Sequence, residues 1–190
     1  MTKQLILLCF SLCAITGMAQ SNIEFRDYNV DEFDKIVTRG GGNVRIKYSE
    51  ENTLRVSAKI ACIALADISV SSKTLYIDVR HSEEEDCQFR INVGTPMINE
   101  LVQNGGGNIV LDKGFGSKDS FQCKIGGGGN IDVSELAVNS FHASISGGGK
   151  IILNAQNELI GTISGGGLIE YSGEPKVTSD ISGGGSIRRK

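Results

Sequence analysis

"SISGGGKIIL", Ser144 to Leu153, sets three consecutive glycines inside a run of strand-forming residues. Glycine is costly to order, by about 0.5–1 kcal/mol relative to alanine inside a strand, so a triplet there requires a structural reason. The chain carries six triplets, beginning at Gly40, Gly105, Gly127, Gly147, Gly165 and Gly183. The last four intervals are 22, 20, 18 and 18 residues, and self-similarity near a period of twenty is the signature of stacked repeats.

Superposing the triplets exposes ladders. Two residues after each stand Val44, Ile109, Ile131, Ile151, Ile169 and Ile187, all β-branched. Two further on stand Ile46, Leu111, Val133, Leu153, Tyr171 and Arg189, apolar until the final copy. In the last four copies the position two before the triplet is Ile125, Ile145, Ile163 and Ile181. Before those come the small residues Cys123, Ala143, Gly161 and Ser179, and then Phe121, Phe141, Leu159 and Val177. Alternation with period two is what strands with one buried face demand. A repeat of 18 residues at ~3.3 Å each makes a circuit of about 59 Å, enough for three short strands with corners, and successive circuits would stack ~4.8 Å apart. The pattern predicts an all-β chain, a parallel β-helix-like solenoid of 18–22 residues per coil with a glycine triplet at the same corner of successive coils. The triplet is expected to be a corner or flattened strand edge, where positive φ or close backbone approach excludes a Cβ.

The flanks of this region set the organisation. "MTKQLILLCFSLCAITGMAQ" has one early cation, Lys3, an apolar stretch from Leu5 to Ile15, and the small-x-small pattern Gly17-Met18-Ala19. Residues 1–19 therefore read as a secretory signal peptide, leaving a single domain over residues 20–190. Acylation of Cys9 or Cys13 is the alternative, against which neither is preceded by the expected small residues. Residues 24–94 are expected to form irregular strands and residues 95–190 regular coils. The closing Arg188, Arg189 and Lys190 are expected to cap the last coil, since charge on an exposed edge discourages further stacking. No transmembrane segment is expected in the mature chain.

Before Gly105, "DEFDKIVTRGGGNVRIKYS", "NTLRVSAKI", "ADISVSS", "TLYIDVR" and "CQFRINVG" read as strands, with breaks at "SEEN" and "SSK". The order Phe33-Asp34-Lys35-Ile36, a glycine cluster with Asn43-Val44-Arg45-Ile46, a Val-Ser-Ala strand from Val56 to Ala58, Leu75-Tyr76-Ile77 and then serial glycine-rich rungs resembles the bacterial head GIN domain of auto-transporter adhesins. The resemblance spans about residues 25 to 187. It implies an all-β domain with β-helical stacking, exported to the periplasm, outer surface or extracellular space, and it supplies no catalytic residue. Members of that family more often carry Gly-Ser-Gly at these corners, so this chain has a barer face.

Composition narrows function further. The net charge is −3 and no basic run interleaves with aromatics, which argues against nucleic acid as a partner. After signal removal Cys62, Cys87 and Cys123 remain. A Cys62–Cys87 disulfide is the natural pairing in an oxidising compartment, and three buried thiols are the alternative. His81 and His142 are far apart and are expected at the surface. Neither a Ser-His-Asp elbow, a CxxC nor an HExxH motif occurs. "GGGGNID", Gly126 to Asp132, resembles a calcium nonapeptide, but its aspartate falls one place late and later coils repeat no ligand. "SEEED", Ser82 to Asp86, reads as a solvated acidic loop. No metal site or cofactor is expected.

Two function classes follow. The first is a non-enzymatic binding or structural module that engages a glycan, a surface protein or copies of itself. Its expected contact row is the residue after each triplet, Asn43, Asn108, Asn130 and Lys150, continued by Leu168 and Ser186. The same asparagines could instead form a ladder that satisfies backbone groups at the corner. The second class is a polysaccharide-processing enzyme, for which Asp112 and Asp132 are expected to align on neighbouring rungs, followed by Ile152 and Glu170. No arginine, lysine or aromatic platform is expected beside them.

Overall fold

A computed structural model describes residues 22–80 and 87–190. The expected signal segment, Cys9, Cys13, His81 and the acidic run 82–86 lie outside the described residues. The strands are β1 (Ile23–Tyr28), β2 (Lys35–Gly40), β3 (Asn43–Tyr48), β4 (Thr53–Lys59), β5 (Ala66–Ser71), β6 (Thr74–Val79), β7 (Arg90–Thr95), β8 (Glu100–Gly105), β9 (Asn108–Leu111), β10 (Lys118–Gly127), β11 (Asn130–Gly147), β12 (Lys150–Gly165), β13 (Leu168–Ser172), β14 (Lys176–Ser182) and β15 (Ser186–Arg189). One 3-10 turn, Ile63–Leu65, separates β4 from β5.

All 15 strands join one sheet. On one side of the glycine corner β6, β2, β8, β10, the second half of β11, the second half of β12 and β14 pair in parallel in that order. On the other side β7, β3, β9, the start of β11, the start of β12, β13 and β15 do the same. The aliphatic ladder is realised pair by pair: Val44 on Ile109, Ile109 on Ile131, Ile131 on Ile151, Ile151 on Ile169 and Ile169 on Ile187. All but Ile187 are buried. Each buried rung contributes about 1.5–3 kcal/mol. Phe121 and Phe141 stack with ring centroids 5.7 Å apart, and the Ile125, Ile145, Ile163 and Ile181 ladder holds the same register. Its line is broken one rung earlier by Gln103, opposite Ile125, whose Nε2 donates to the Gly106 carbonyl at 2.9 Å.

A uniform coil does not describe the whole chain, because the sheet is mixed. The rung carrying the first triplet, β2 and β3, lies between the later β6 and β7 on one side and β8 and β9 on the other. Spatial order therefore departs from chain order. The remaining strands are antiparallel: β1 on β4, β4 on β7 and β5 on β6. The cause is local. Ser72 and Lys73 take φ of 50° and 58°, the left-handed pair of a two-residue hairpin turn, so β6 must return along β5.

The first glycine of each triplet has a definite physical requirement. Gly147 has φ +131°, and a Cβ there would lie 2.5 Å from the carbonyl oxygen of Gly127 on the preceding rung. By contrast, a Cβ on the central Gly148 would meet nothing within 4 Å. Cys62 and Cys87 are disulfide-bonded with Cα atoms 5.7 Å apart, while Cys123 is a buried free thiol whose pKa burial pushes well up.

Candidate functional site

The expected contact row is assembled as a stack. Asn43 pairs with Asn108, Asn108 with Asn130, and Asn130 with Lys150. The asparagines bond one another rather than the backbone: Asn108 Nδ2 donates to Asn43 Oδ1 at 2.7 Å, and Asn130 Nδ2 donates to Asn108 Oδ1 at 2.9 Å. Lys150 pairs with Glu170, which also accepts from Arg188. These two cations hold the Glu170 carboxyl below its usual range, chiefly through the hydrogen bond from Lys150. The three asparagines are exposed and Lys150 is half-buried, with the row's polar capacity partly spent within itself.

The expected carboxylates are not in register, yet both line one groove, and contrary to expectation Arg45, Lys47 and Tyr48 stand beside them. Asp132 stands opposite Val110, and the Asp112 backbone N–H instead donates to the Ile46 carbonyl at 2.8 Å. The two carboxylates are offset by two residues along the strand, because Asp112 lies seven positions after Gly105 whereas Asp132 lies five after Gly127. Each carboxylate is also occupied. Arg45 Nε donates to both Asp112 oxygens, at 2.8 and 3.1 Å, and Asp132 Oδ1 accepts from the Ser134 N–H and hydroxyl at 3.0 and 2.6 Å. Among the described residues no group of three or more His, Cys, Asp or Glu could hold a metal ion. His142 is exposed on β11.

A different constellation surrounds Tyr48. In β3 the buried Val44 and Ile46 alternate with the outward Arg45 and Lys47, and the strand ends on Tyr48, which is 50% exposed. Phe115 packs against the Tyr48 ring in an edge arrangement, with centroids 5.7 Å apart and planes at 88°. Gly114 makes that approach possible: its φ is +122° and a Cβ there would come within 3.1 Å of Tyr48 Cβ. An open groove of about 740 Å³ lies on one side of Tyr48, lined by Tyr28, Lys47, Asn52, Arg55 and Asn92 among others. A second, of about 770 Å³, lies on the other, with Arg45, Lys47, Asp112, Asp132 and Ser134. Tyr48 and Lys47 belong to both.

The groove chemistry is mixed. Arg55 clasps Asp27 through Nε and a terminal nitrogen at 2.6 and 2.8 Å, which lowers the Asp27 pKa. Asn52 Oδ1 is enclosed and no donor of the described protein reaches it. Sequence reasoning missed this site, because superposing the first two triplets sets Lys113 and not Phe115 opposite Tyr48.

The family model described as "Putative auto-transporter adhesin, head GIN domain" matches residues 32–118 and 104–175. The chain belongs to this family. Among solved structures, a similar fold is found in a "putative adhesin" from Bacteroides fragilis NCTC 9343, 22% identical, with 90% of this chain and 98% of that chain covered at a TM-score of 0.57. A "putative adhesin" from Parabacteroides merdae ATCC 43184 is 16% identical, with 90% and 97% covered and a TM-score of 0.46. No curated protein matches this head GIN chain. Among its described residues no helix is long and apolar enough to cross a membrane.

Proposed function

We propose that this chain is an exported, non-catalytic adhesin module that recognises a saccharide at the Tyr48 grooves. The observation that carries this is Tyr48 itself, a half-exposed ring steadied by Phe115 between two open grooves. An amphipathic ring can pack on the C–H face of a sugar while amides, carboxylates and cations take its hydroxyls. The family's adhesin description and the signal-like residues 1–19 support export to the periplasm or surface. The coil-like succession of the later rungs then serves as a stiff mount. Against a polysaccharide-processing role stand the engagement of Asp112 by Arg45 and of Asp132 by Ser134.

The test is a bacterial and host glycan array probed with the purified protein and with Tyr48→Ala, Tyr48→Phe and the Asn43, Asn108 and Asn130 triple alanine variant. Selective binding that Tyr48→Ala abolishes and Tyr48→Phe keeps, with the glycan recovered uncleaved, supports the proposal. Binding lost only in the triple variant moves the contact to the asparagine row. Silence from folded protein removes saccharide recognition and leaves a structural or self-associating envelope role.

A further inference from the structure

Among the described residues strand β14 is hydrogen-bonded along one edge only, to β12, and every residue of it is exposed. Its core-facing residues continue the internal ladders, with Val177 on Leu159, Ser179 on Gly161 and Ile181 on Ile163. Leu159 and Ile163 are buried, whereas Val177 and Ile181 are 37% and 41% exposed. The apolar ladders thus run out into solvent. No proline or bulge blunts the edge within Lys176–Ser182, so its free N–H and C=O groups form a template for another strand.

The pattern of β14 specifies which strand. Read from either end, "KVTSDIS" places apolar residues symmetrically about Ser179. A second copy laid antiparallel with Ser179 on the two-fold axis sets Val177 opposite Ile181 of that copy, Thr178 opposite Asp180, and Lys176 opposite Ser182. Lys176 then lies diagonal to Asp180 of the second copy, within reach for long side chains. Neither Lys176 nor Asp180 has an ion-pair partner among the described residues. We propose that two copies of this chain pair through β14 into an isologous two-fold dimer, joining both internal ladders across the interface. The parallel alternative sets Val177 on Val177, Lys176 on Lys176 and Asp180 on Asp180, and gives no charge complementarity.

The experiment is sedimentation velocity on the purified protein over a dilution series, with crosslinking variants alongside. The expected result is a dimer that dissociates on dilution and is lost in Ile181→Lys. Reversing either charge, Lys176→Asp or Asp180→Lys, weakens it, and combining both reversals restores it. Ser179→Cys oxidises to a covalent dimer, because residues on the axis face each other, whereas Ser182→Cys does not, because its two copies sit at opposite ends of the paired strands. A monomer at every concentration overturns the proposal, as does a dimer that folded Ile181→Lys leaves intact. Should Ile181→Lys not fold, equal crosslinking of the two cysteine variants, or none, decides against it.

Discussion

Gly147→Ala and Gly148→Ala, one residue apart in the same triplet, should have opposite effects on stability. At Gly147 an alanine must hold φ +131°, which costs about 1–3 kcal/mol for a residue with a side chain. Its Cβ would also sit 2.5 Å from the Gly127 carbonyl oxygen, and that atom is backbone inside a parallel ladder rather than the end of a flexible side chain. Forcing the rungs apart adds about 1–3 kcal/mol, the usual cost of overpacking, so the sum is about 2–6 kcal/mol. At Gly148 a Cβ has no neighbour within 4 Å and φ lies outside the left-handed range, so alanine there only restricts the unfolded chain and stabilises by about 0.4–1 kcal/mol. For a domain of this size 1 kcal/mol moves the melting temperature by about 2–4 °C. Thermal and urea unfolding should therefore show Gly147→Ala melting roughly 4–24 °C lower and Gly148→Ala unchanged to ~4 °C higher. Equal losses at the two positions would refute the reasoning, since they would mean that the triplet is needed as a unit and not for the close approaches of its outer glycines, such as Gly147 and Gly149.

Other outcomes follow from the same geometry. Replacing Asn43, Asn108 and Asn130 by alanine removes two exposed side-chain hydrogen bonds and should lower stability by about 1–2 kcal/mol in urea titrations, while leaving saccharide binding at Tyr48 intact. Reducing Cys62–Cys87, which spans 25 residues, should cost about 3 kcal/mol, read as a lower urea midpoint in the presence of reductant. Cys123 should resist alkylation in the native protein and react after denaturation, as mass mapping of the labelled peptide would show. Glu100 is penalised by burial, but the hydrogen bonds from Lys35 and Lys124 outweigh this and lower its pKa. Its stabilisation is therefore complete above the ordinary carboxylate pKa of about 4.3 and is lost as pH falls through the lower folded value. Glu100→Gln should accordingly flatten the acid limb of the stability–pH curve, and an unchanged limb would exclude Glu100 as its source.

How far the fold is legible in the sequence depends on where the chain repeats. From Gly105 onward one interval predicts the next, and the Ile109, Ile131, Ile151 and Ile169 ladder follows from the spacing of the triplets alone. Between Gly40 and Gly105 no such rule operates, because 65 residues separate triplets whose rungs are adjacent in space. Nothing in the spacing says that β6 and β7 slip beneath the first rung, or that β4 turns back antiparallel. The Asp112 and Asp132 alignment fails for a related reason, since counting must start from the triplet and not from similar-looking residues. Tyr48 escapes a reading of the sequence because its partner Phe115 is distant along the chain, and only the stacking of β3 on β9 makes them neighbours.

The same contrast bears on where a recognition site can arise. Stacking at strand spacing brings outward side chains of adjacent rungs within reach of each other, so a periodic surface tends to satisfy itself. Asn43, Asn108 and Asn130 bond along their row, Glu100 bridges Lys35 and Lys124, and Glu170 bridges Lys150 and Arg188. Unspent chemistry collects where the periodicity fails. At the mouth of β3 the chain leaves the ladder, Tyr48 loses its cover, and Lys47 and Lys113 have no ion-pair partner among the described residues. A regular repeat supplies stiffness and a fixed orientation, and its interruption supplies the groups that still have something to bind. Varying the loops around Tyr48 should therefore change what the protein recognises with little cost in stability, whereas varying the glycine corners should change stability first.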